Sequence, residues 1–191
     1  MYSENYKACD TIFNNIPNID IANGVHLRSI FLKEIELESK AYFTNSSDSL
    51  TKKYIPGAYC SNEAEAKKKL LDFRGRFLHK YCVPFAVAVG GESVPIGYII
   101  CFSPLTTDRD SGEKIDDWTI DIWLGEGVRG KGIMEHVLYR VLEYLHSKEV
   151  DRVYMYVDKD NYISIHIIEK LGCTLLGDSG DGKFYQYGVK F

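Results

Sequence analysis

The apolar residues change period between Trp118 and Leu145, and that change marks the central unit of the chain. Over residues 118–124 they alternate. Trp118, Ile120, Ile122 and Leu124 fall on one face, and Thr119, Asp121 and Trp123 on the other. This is the two-residue repeat of a strand with one more apolar side. Gly125, Gly127, Gly130 and Gly132 follow. From there Ile133, Met134, Val137, Leu138, Val141, Leu142 and Leu145 line one face of a helix.

The same reading extends along the chain. Residues 1–24 are polar and Asn-rich around Ile12, Phe13 and Ile16, and read as an N-terminal extension to a single domain over 25–191. Val25–Phe31 reads as a first strand. Lys33–Phe43 suits a strand through Ile35 and Leu37 and a helix through its Glu, Lys and Ala content; helix is favoured. Asn45–Ser49 and Tyr54–Tyr59 read as loops. Asn62 with Glu65 three residues on has the form of a capping box, and Leu70, Phe73, Phe77 and Tyr81 then recur at helical spacing. Pro84 is expected to end that helix and open the apolar strand Phe85–Val89. Gly90-Gly91 reads as a hairpin turn, Val94–Phe102 as the returning strand and 105–117 as a polar loop. Arg152–Val157 is the next strand, joined to 118–124 through the helix as a βαβ unit. Asn161 caps a helix reaching Leu171, with Gly172 as its stop. Strands near 173–177 and 183–190 close the chain.

The strand–turn–helix unit carries the first chemistry. A glycine-rich turn leaves backbone N–H groups bare, and a helix start adds unpaired N–H groups and a partial positive charge. Together they suit an anion such as phosphate. Arg129 and Lys131 place full charges beside it.

Composition narrows the class. A chain of 191 residues, 45% apolar and 26% charged, is ordinary for a globular domain with a full core. A net charge of −4 argues against a nucleic-acid partner. No apolar run reaches the ~18 residues of a membrane span, and Met1–Lys7 lacks a secretory leader core, so a cytoplasmic protein is expected. Cys9, Cys60, Cys82, Cys101 and Cys173 are scattered, without C-x-x-C spacing, and read as reduced thiols. The histidines are scattered too, and no metal is expected.

Two motif readings compete for the glycine-rich turn. Gly125-Glu126-Gly127-Val128-Arg129-Gly130 matches G-x-G-x-x-G of dinucleotide sites. That fingerprint normally opens a doubly wound domain, with an acid about 20 residues on. Here only 61 of the 191 residues follow Gly130, and the acid at the next strand end, Asp158, comes 28 after it. The second reading fits better. Arg129-Gly130-Lys131-Gly132-Ile133-Met134 resembles the R/Q-x-x-G-x-G/A loop of the GNAT superfamily of N-acetyltransferases, with Met134 where Gly or Ala is usual. Asn161, Ser164, Glu169, Lys170, Leu171 and Gly172 match the family's second segment, N-x-x-A/S-x-x-x-Y-E-K-L-G-F, with Ile168 and Cys173 in place of Tyr and Phe. Val25-His-Leu-Arg-Ser, Tyr54-Ile-Pro-Gly and the 161–172 stretch resemble one branch, which contains ribosomal-protein N-terminal and spermidine acetyltransferases and some antibiotic-modifying enzymes.

The resemblance implies an α/β (α+β) fold, a mixed, twisted sheet of about six or seven strands with helices on both faces. It implies acetyl-CoA as co-substrate, held at the pyrophosphate by Arg129, Gly130, Lys131, Gly132, Ile133 and Met134, with Asn161 nearby. In that fold strands 118–124 and 152–157 splay apart, and the pantetheine arm pairs with the open edge through Ile122 and Leu124. An open strand edge offers unpaired N–H and C=O groups that an amide-bearing chain can satisfy. A backbone N–H near Trp123 or Leu124 is the candidate oxyanion donor. Asp121 is the candidate base, although the usual carboxylate position falls on Thr119. Ile168 cannot donate a proton, so Ser164, one turn earlier, is the candidate acid. The implied reaction is transfer of an acetyl group to a primary amine, on a small molecule or a peptide, by direct attack; a homodimer stays an option. The acidic 105–117 loop is a candidate attractor for a cationic amine. A second class stays open: the same fold can bind acyl-CoA without turnover, as a sensor or interaction module.

Overall fold

The structure is a computed structural model, in which residues 4–30, 32–90, 94–106 and 117–191 are described. Eight strands form one sheet: β1 (Ile19–Asp20), β2 (Val25–Ser29), β3 (Cys82–Val89), β4 (Pro95–Phe102), β5 (Trp118–Leu124), β6 (Arg152–Asp158), β7 (Thr174–Asp178) and β8 (Phe184–Lys190). Their order is β1-β2-β3-β4-β5-β6-β8-β7, with β5 and β6 parallel and the remaining pairs antiparallel. The helices are α1 (Glu4–Ile12), α2 (Ile35–Ser46), α3 (Ser49–Tyr54), α4 (Glu63–Leu78), α5 (Ile133–Ser147) and α6 (Tyr162–Lys170).

Strand alternation divides the core in two. Val83, Phe85 and Val87 of β3, Ile99 and Cys101 of β4 and Trp118, Ile120 and Leu124 of β5 face one side, against α1 and α5. Cys82 and Ala86, Tyr98 and Ile100, and Trp123 face the other, against Tyr42 of α2 and Ala66 and Leu70 of α4. The less apolar face of β5 is therefore also covered, which is why it carries a tryptophan.

Several expectations are corrected. The eighth strand, β1, lies in the N-terminal stretch, whose described apolar residues pack on the domain. Ala8, Cys9 and Ile12 are buried, and Phe13 stacks 6.1 Å from Trp118 and lies 5.5 Å from Phe77. Phe13→Ala is expected to cost about 3 kcal/mol, read as a lower urea midpoint at unchanged slope. Pro84 lies inside β3, opposite Ile100, and not at its start. It is tolerated because β2 ends one residue earlier, at the pair Ser29–Phe85, so Pro84 has no neighbour on that side. Lys33–Phe43 is helical through most of its length, as favoured. Asn45 and Ser46 end α2, and Ser49 opens α3, where a loop was expected. The missed signal is Asp48, whose carboxylate accepts from the N–H groups of Leu50 and Thr51 at 3.0 and 3.1 Å. Most of the expected acidic loop, residues 107–116, and Gly91 of the hairpin turn lie outside the described residues.

Candidate functional site

The site begins where two strands part. The parallel pair β5–β6 is in register only at Trp118–Val153 and Thr119–Tyr154. Beyond that the strands diverge, and the alternation of backbone direction fixes what the gap contains. Gly125 N–H donates to Ile96 O at 2.9 Å on the β4 side, so the odd-numbered residues of β5 point toward β4. The N–H and C=O groups of Ile122 and Leu124 therefore point into the gap, whereas those of Trp123 belong to the β4 ladder. Of the two oxyanion donors named from sequence, only the Leu124 N–H faces the gap. Thr119 sits where β5 and β6 still pair and presents no carboxylate.

The gap opens into a groove of about 480 Å³. Its floor is Ile122, Trp123 and Leu124. One wall is α3 with Leu50, Thr51, Tyr54 and Ile55, and the other is the start of α6. Its end is the glycine-rich loop and α5. Gly130 and Gly132 hold φ of +74° and +73°, a left-handed conformation natural to glycine, and a Cβ at either would meet only open space. Gly132 caps α5 with no side-chain hydrogen bond, unlike Asp48, Asn62 and Asn161 at the starts of α3, α4 and α6. Among the described residues nothing accepts from the N–H groups of Gly130, Lys131 and Gly132. An uncapped helix start preceded by free N–H groups and lined by no side chain fits a pyrophosphate.

The two basic side chains of the loop behave otherwise than expected. Arg129 lines the groove, but its guanidinium is engaged within the protein. Nη1 and Nη2 donate to Asp48 Oδ1 and Oδ2 at 2.9 and 2.8 Å, Nη2 donates to Thr51 Oγ1 at 3.0 Å, and Nε donates to Leu124 O at 2.8 Å. Burial alone would raise the Asp48 pKa, yet the bonds from Arg129 and Thr51 outweigh it and hold the carboxyl well below the usual range. Lys131 turns back and donates to Gly127 O at 3.1 Å. It does not line the groove.

On the α6 wall, Asn161 Oδ1 accepts from Ser164 N–H at 3.3 Å and so fixes the first turn of the helix. Asn161, Tyr162, Ile163, Ser164 and Ile167 all line the groove. Ile168 is buried in the core, and Ser164 supplies a hydroxyl one turn before it.

Asp121 lies elsewhere. It is on the opposite face of β5, in a second concavity of about 510 Å³ bounded by Gly57, Ala58, Phe73, Ile100, Phe102, Trp123 and polar residues of α4. Its carboxylate touches solvent through the open mouth and yet is hemmed in by protein on the remaining sides. That loss of hydration pushes its pKa up to about 6. Among the described residues none gives it a hydrogen bond or an ion pair. Behind it stand Tyr42, Tyr98 and Trp123, with ring centroids 4.7–5.6 Å apart. Among the described residues, Tyr42 Oη and Trp123 Nε1 are buried without a partner. Trp123 borders both cavities and is the partition between them.

The residues named from sequence thus divide. Ile122, Trp123, Leu124, Arg129, Gly130, Gly132, Ile133, Met134, Asn161 and Ser164 share one groove, Asp121 faces the other, and Lys131 is in neither. Sequence reasoning missed the α3 wall and Asp48. The described residues contain no group of three or more His, Cys, Asp and Glu placed to hold a metal. No helix among them is long and apolar enough to cross a membrane.

The geometry has parallels among known proteins. An acetyltransferase of the GNAT family from Bacillus anthracis superposes with a TM-score of 0.68 at 19% identity, over 91% of this chain and 98% of its own. RimL, a ribosomal alpha-N-protein acetyltransferase solved with coenzyme A, gives 0.71 at 16% identity, over 92% and 98%. The aminoglycoside acetyltransferase AAC(6')-Ib, solved with coenzyme A and kanamycin, gives 0.68 at 19%, over 87% and 94%. No curated protein matches the chain in sequence. At such identities these likenesses speak for the fold. The family itself rests on sequence: the acetyltransferase (GNAT) domain matches residues 29–174, and the chain belongs to that family.

Proposed function

We propose that the protein transfers an acetyl group from acetyl-CoA to a primary amine. One observation carries the reading: the open strand edge with its anion cradle lies on one side of β5, a carboxylate with no ion pair among the described residues lies on the other, and Trp123 borders both cavities. Acetyl-CoA, when bound, supplies an activated acyl thioester. The N–H groups of Gly130, Lys131 and Gly132 and the start of α5 would hold its pyrophosphate, and Ile122 would pair with its amide-bearing arm, since the Leu124 C=O accepts from Arg129 Nε. The acceptor enters from the Asp121 side. Asp121 takes the proton that the ammonium must lose before attack. The Leu124 N–H donates to the oxygen that gains charge as the C–N bond forms. Ser164 donates its proton to the sulfur as the C–S bond breaks and is reprotonated by the second proton that the nitrogen sheds on becoming an amide, leaving an acetamide and a thiol. Holding the amine against the acyl carbon, where the two cavities meet beside Trp123, supplies much of the acceleration. All five cysteines are buried and none forms a disulfide, which supports a reducing, cytoplasmic setting.

A thermal-stability scan with acetyl-CoA, CoA and NADH, followed by thiol release against amines and N-terminal peptides, tests this. A higher Tm with either CoA form but not with NADH, together with amine-dependent thiol release, is the expected result. A Tm rise without release for any amine would favour an acyl-CoA sensor, the reading kept open by the burial of Ile168 where the family has a donor. No shift with either CoA form sinks the cradle assigned within residues 129–134. Ser164→Ala is expected to lower kcat about tenfold, the value of one hydrogen bond to a charged group, with KM for acetyl-CoA unchanged. An unaltered kcat removes Ser164 from the mechanism.

A further inference from the structure

We propose that the Arg129 side chain is a positioning group that docks α3 onto the groove, not a ligand of the pyrophosphate, and that Asp48 is its required partner. The inference rests on the acetyl-CoA reading only for the choice of ligand. Four of the five guanidinium N–H donors are spent inside the protein, two of them in a bidentate bridge to Asp48. Bidentate arginine–carboxylate pairs are the strong and directional ones. This one is partly shielded, with the side chains 28% and 15% exposed. Asp48 faces both ways. The same carboxylate that grips Arg129 caps α3 through Leu50 N–H and Thr51 N–H and accepts from Thr51 Oγ1 at 2.7 Å.

The need for such a clamp follows from the length of α3. A helix of six residues, Ser-Leu-Thr-Lys-Lys-Tyr, is far too short to persist alone. Thr51 is its single buried residue, so little apolar burial holds it. Yet it provides one wall of the groove. The Asp48–Arg129 bridge joins that wall to the loop that makes the anion cradle, and the Nε bond to Leu124 O joins both to the open strand edge. One side chain therefore sets three surfaces of the groove against one another. The anion is left to the backbone N–H groups of Gly130, Lys131 and Gly132, from which no described residue accepts.

The test compares CoA with pantetheine, which has no pyrophosphate. Binding of each is measured for the wild type, Asp48→Ala, Arg129→Ala and the double variant. Positioning predicts that each single variant weakens both ligands by the same factor, about tenfold, and that the double variant is no worse than either single one. Direct anion binding predicts that Arg129→Ala weakens CoA alone and that Asp48→Ala, by freeing the guanidinium, leaves CoA binding intact or tightens it; that pattern overturns the proposal. Lys53→Ala removes the exposed Lys53–Asp160 pair from the same helix, whose side chains are 50% and 51% exposed, and should change both affinities less than twofold. If Arg129→Ala does not fold, Arg129→Lys keeps the charge and loses the fork: equal weakening of both ligands supports the clamp, and retained CoA binding overturns it.

Discussion

Replacing Asp121 with Asn is expected to lower kcat by about 10²–10⁴-fold, the usual range for loss of a general base, and to leave KM for acetyl-CoA unchanged, because Asp121 faces away from the groove proposed for acetyl-CoA. The pH profile carries the sharper signature. Asp121 accepts a proton only when ionised, so the wild-type rate should climb as pH rises through about 6 and then level off. The Asn variant should lose that limb. Stability runs the opposite way. Lost hydration raises the carboxyl above its ordinary 3.8, so the folded chain binds the proton more tightly than the unfolded one, and stability falls as pH rises from 3.8 to about 6. Above that window the Asn variant should melt at a higher temperature than the wild type while turning over far more slowly. Such opposed effects mark a group kept for chemistry at the expense of the fold. A variant that keeps both its limb and its kcat would show that another group takes the proton.

Gly97→Ala should have the second large effect, and through backbone alone. Gly97 of β4 lies opposite Leu124 of β5. A Cβ there would fall 2.9 Å from Leu124 Cα, and closer still to Trp123 O and Leu124 Cδ2. Two of those obstacles are main chain and cannot rotate aside. The methyl must push β5 away from β4, at about 1–3 kcal/mol. The segment displaced carries the groove floor, the Leu124 N–H and the Trp123 partition, and a shift on the order of 1 Å at such a site can cost 10²-fold in rate. Urea unfolding would read the first effect and kcat the second. Gly180→Ala is the control, since a Cβ there meets nothing within 4 Å and the residue lines neither cavity. Equal behaviour of the two variants would mean that β4 and β5 have slack the structure does not reveal.

The strand–turn–helix unit was legible in the sequence because each part announces itself through its own period or residue type. Trp118–Leu124 alternates, Ile133–Ser147 repeats at helical spacing, and glycines stand where φ is positive. Asn161 and Asn62 were legible as caps for the same local reason, and both do cap. Glu65, however, bonds the Ser61 N–H, one residue before the expected partner. What local pattern did not carry was anything settled by distant residues. Arg129 meets Asp48 across 81 positions of sequence, so its charge was visible and its engagement was not. Asp121 could be assigned to a face of β5, but whether that face met solvent, a helix or a cavity depended on α2 and α4. The six-residue α3 has too few positions to display a period, and only its Asp48 cap hinted at it.

The two-pair junction of β5 and β6 divides the sheet into leaves. β1 to β5 form one, and β6, β8 and β7 the other, with α5 as the covalent tie between them. A chain laid between the leaves supplies the rungs that the ladder lacks, so occupancy of the gap and mechanical unity of the sheet become one variable. The empty protein should flex along this line as a book does along its spine. Amide exchange would display it: the N–H groups of Ile122 and Leu124 exchange quickly when the gap is open and slow together when it is filled, while that of Trp123, locked to β4, stays slow throughout.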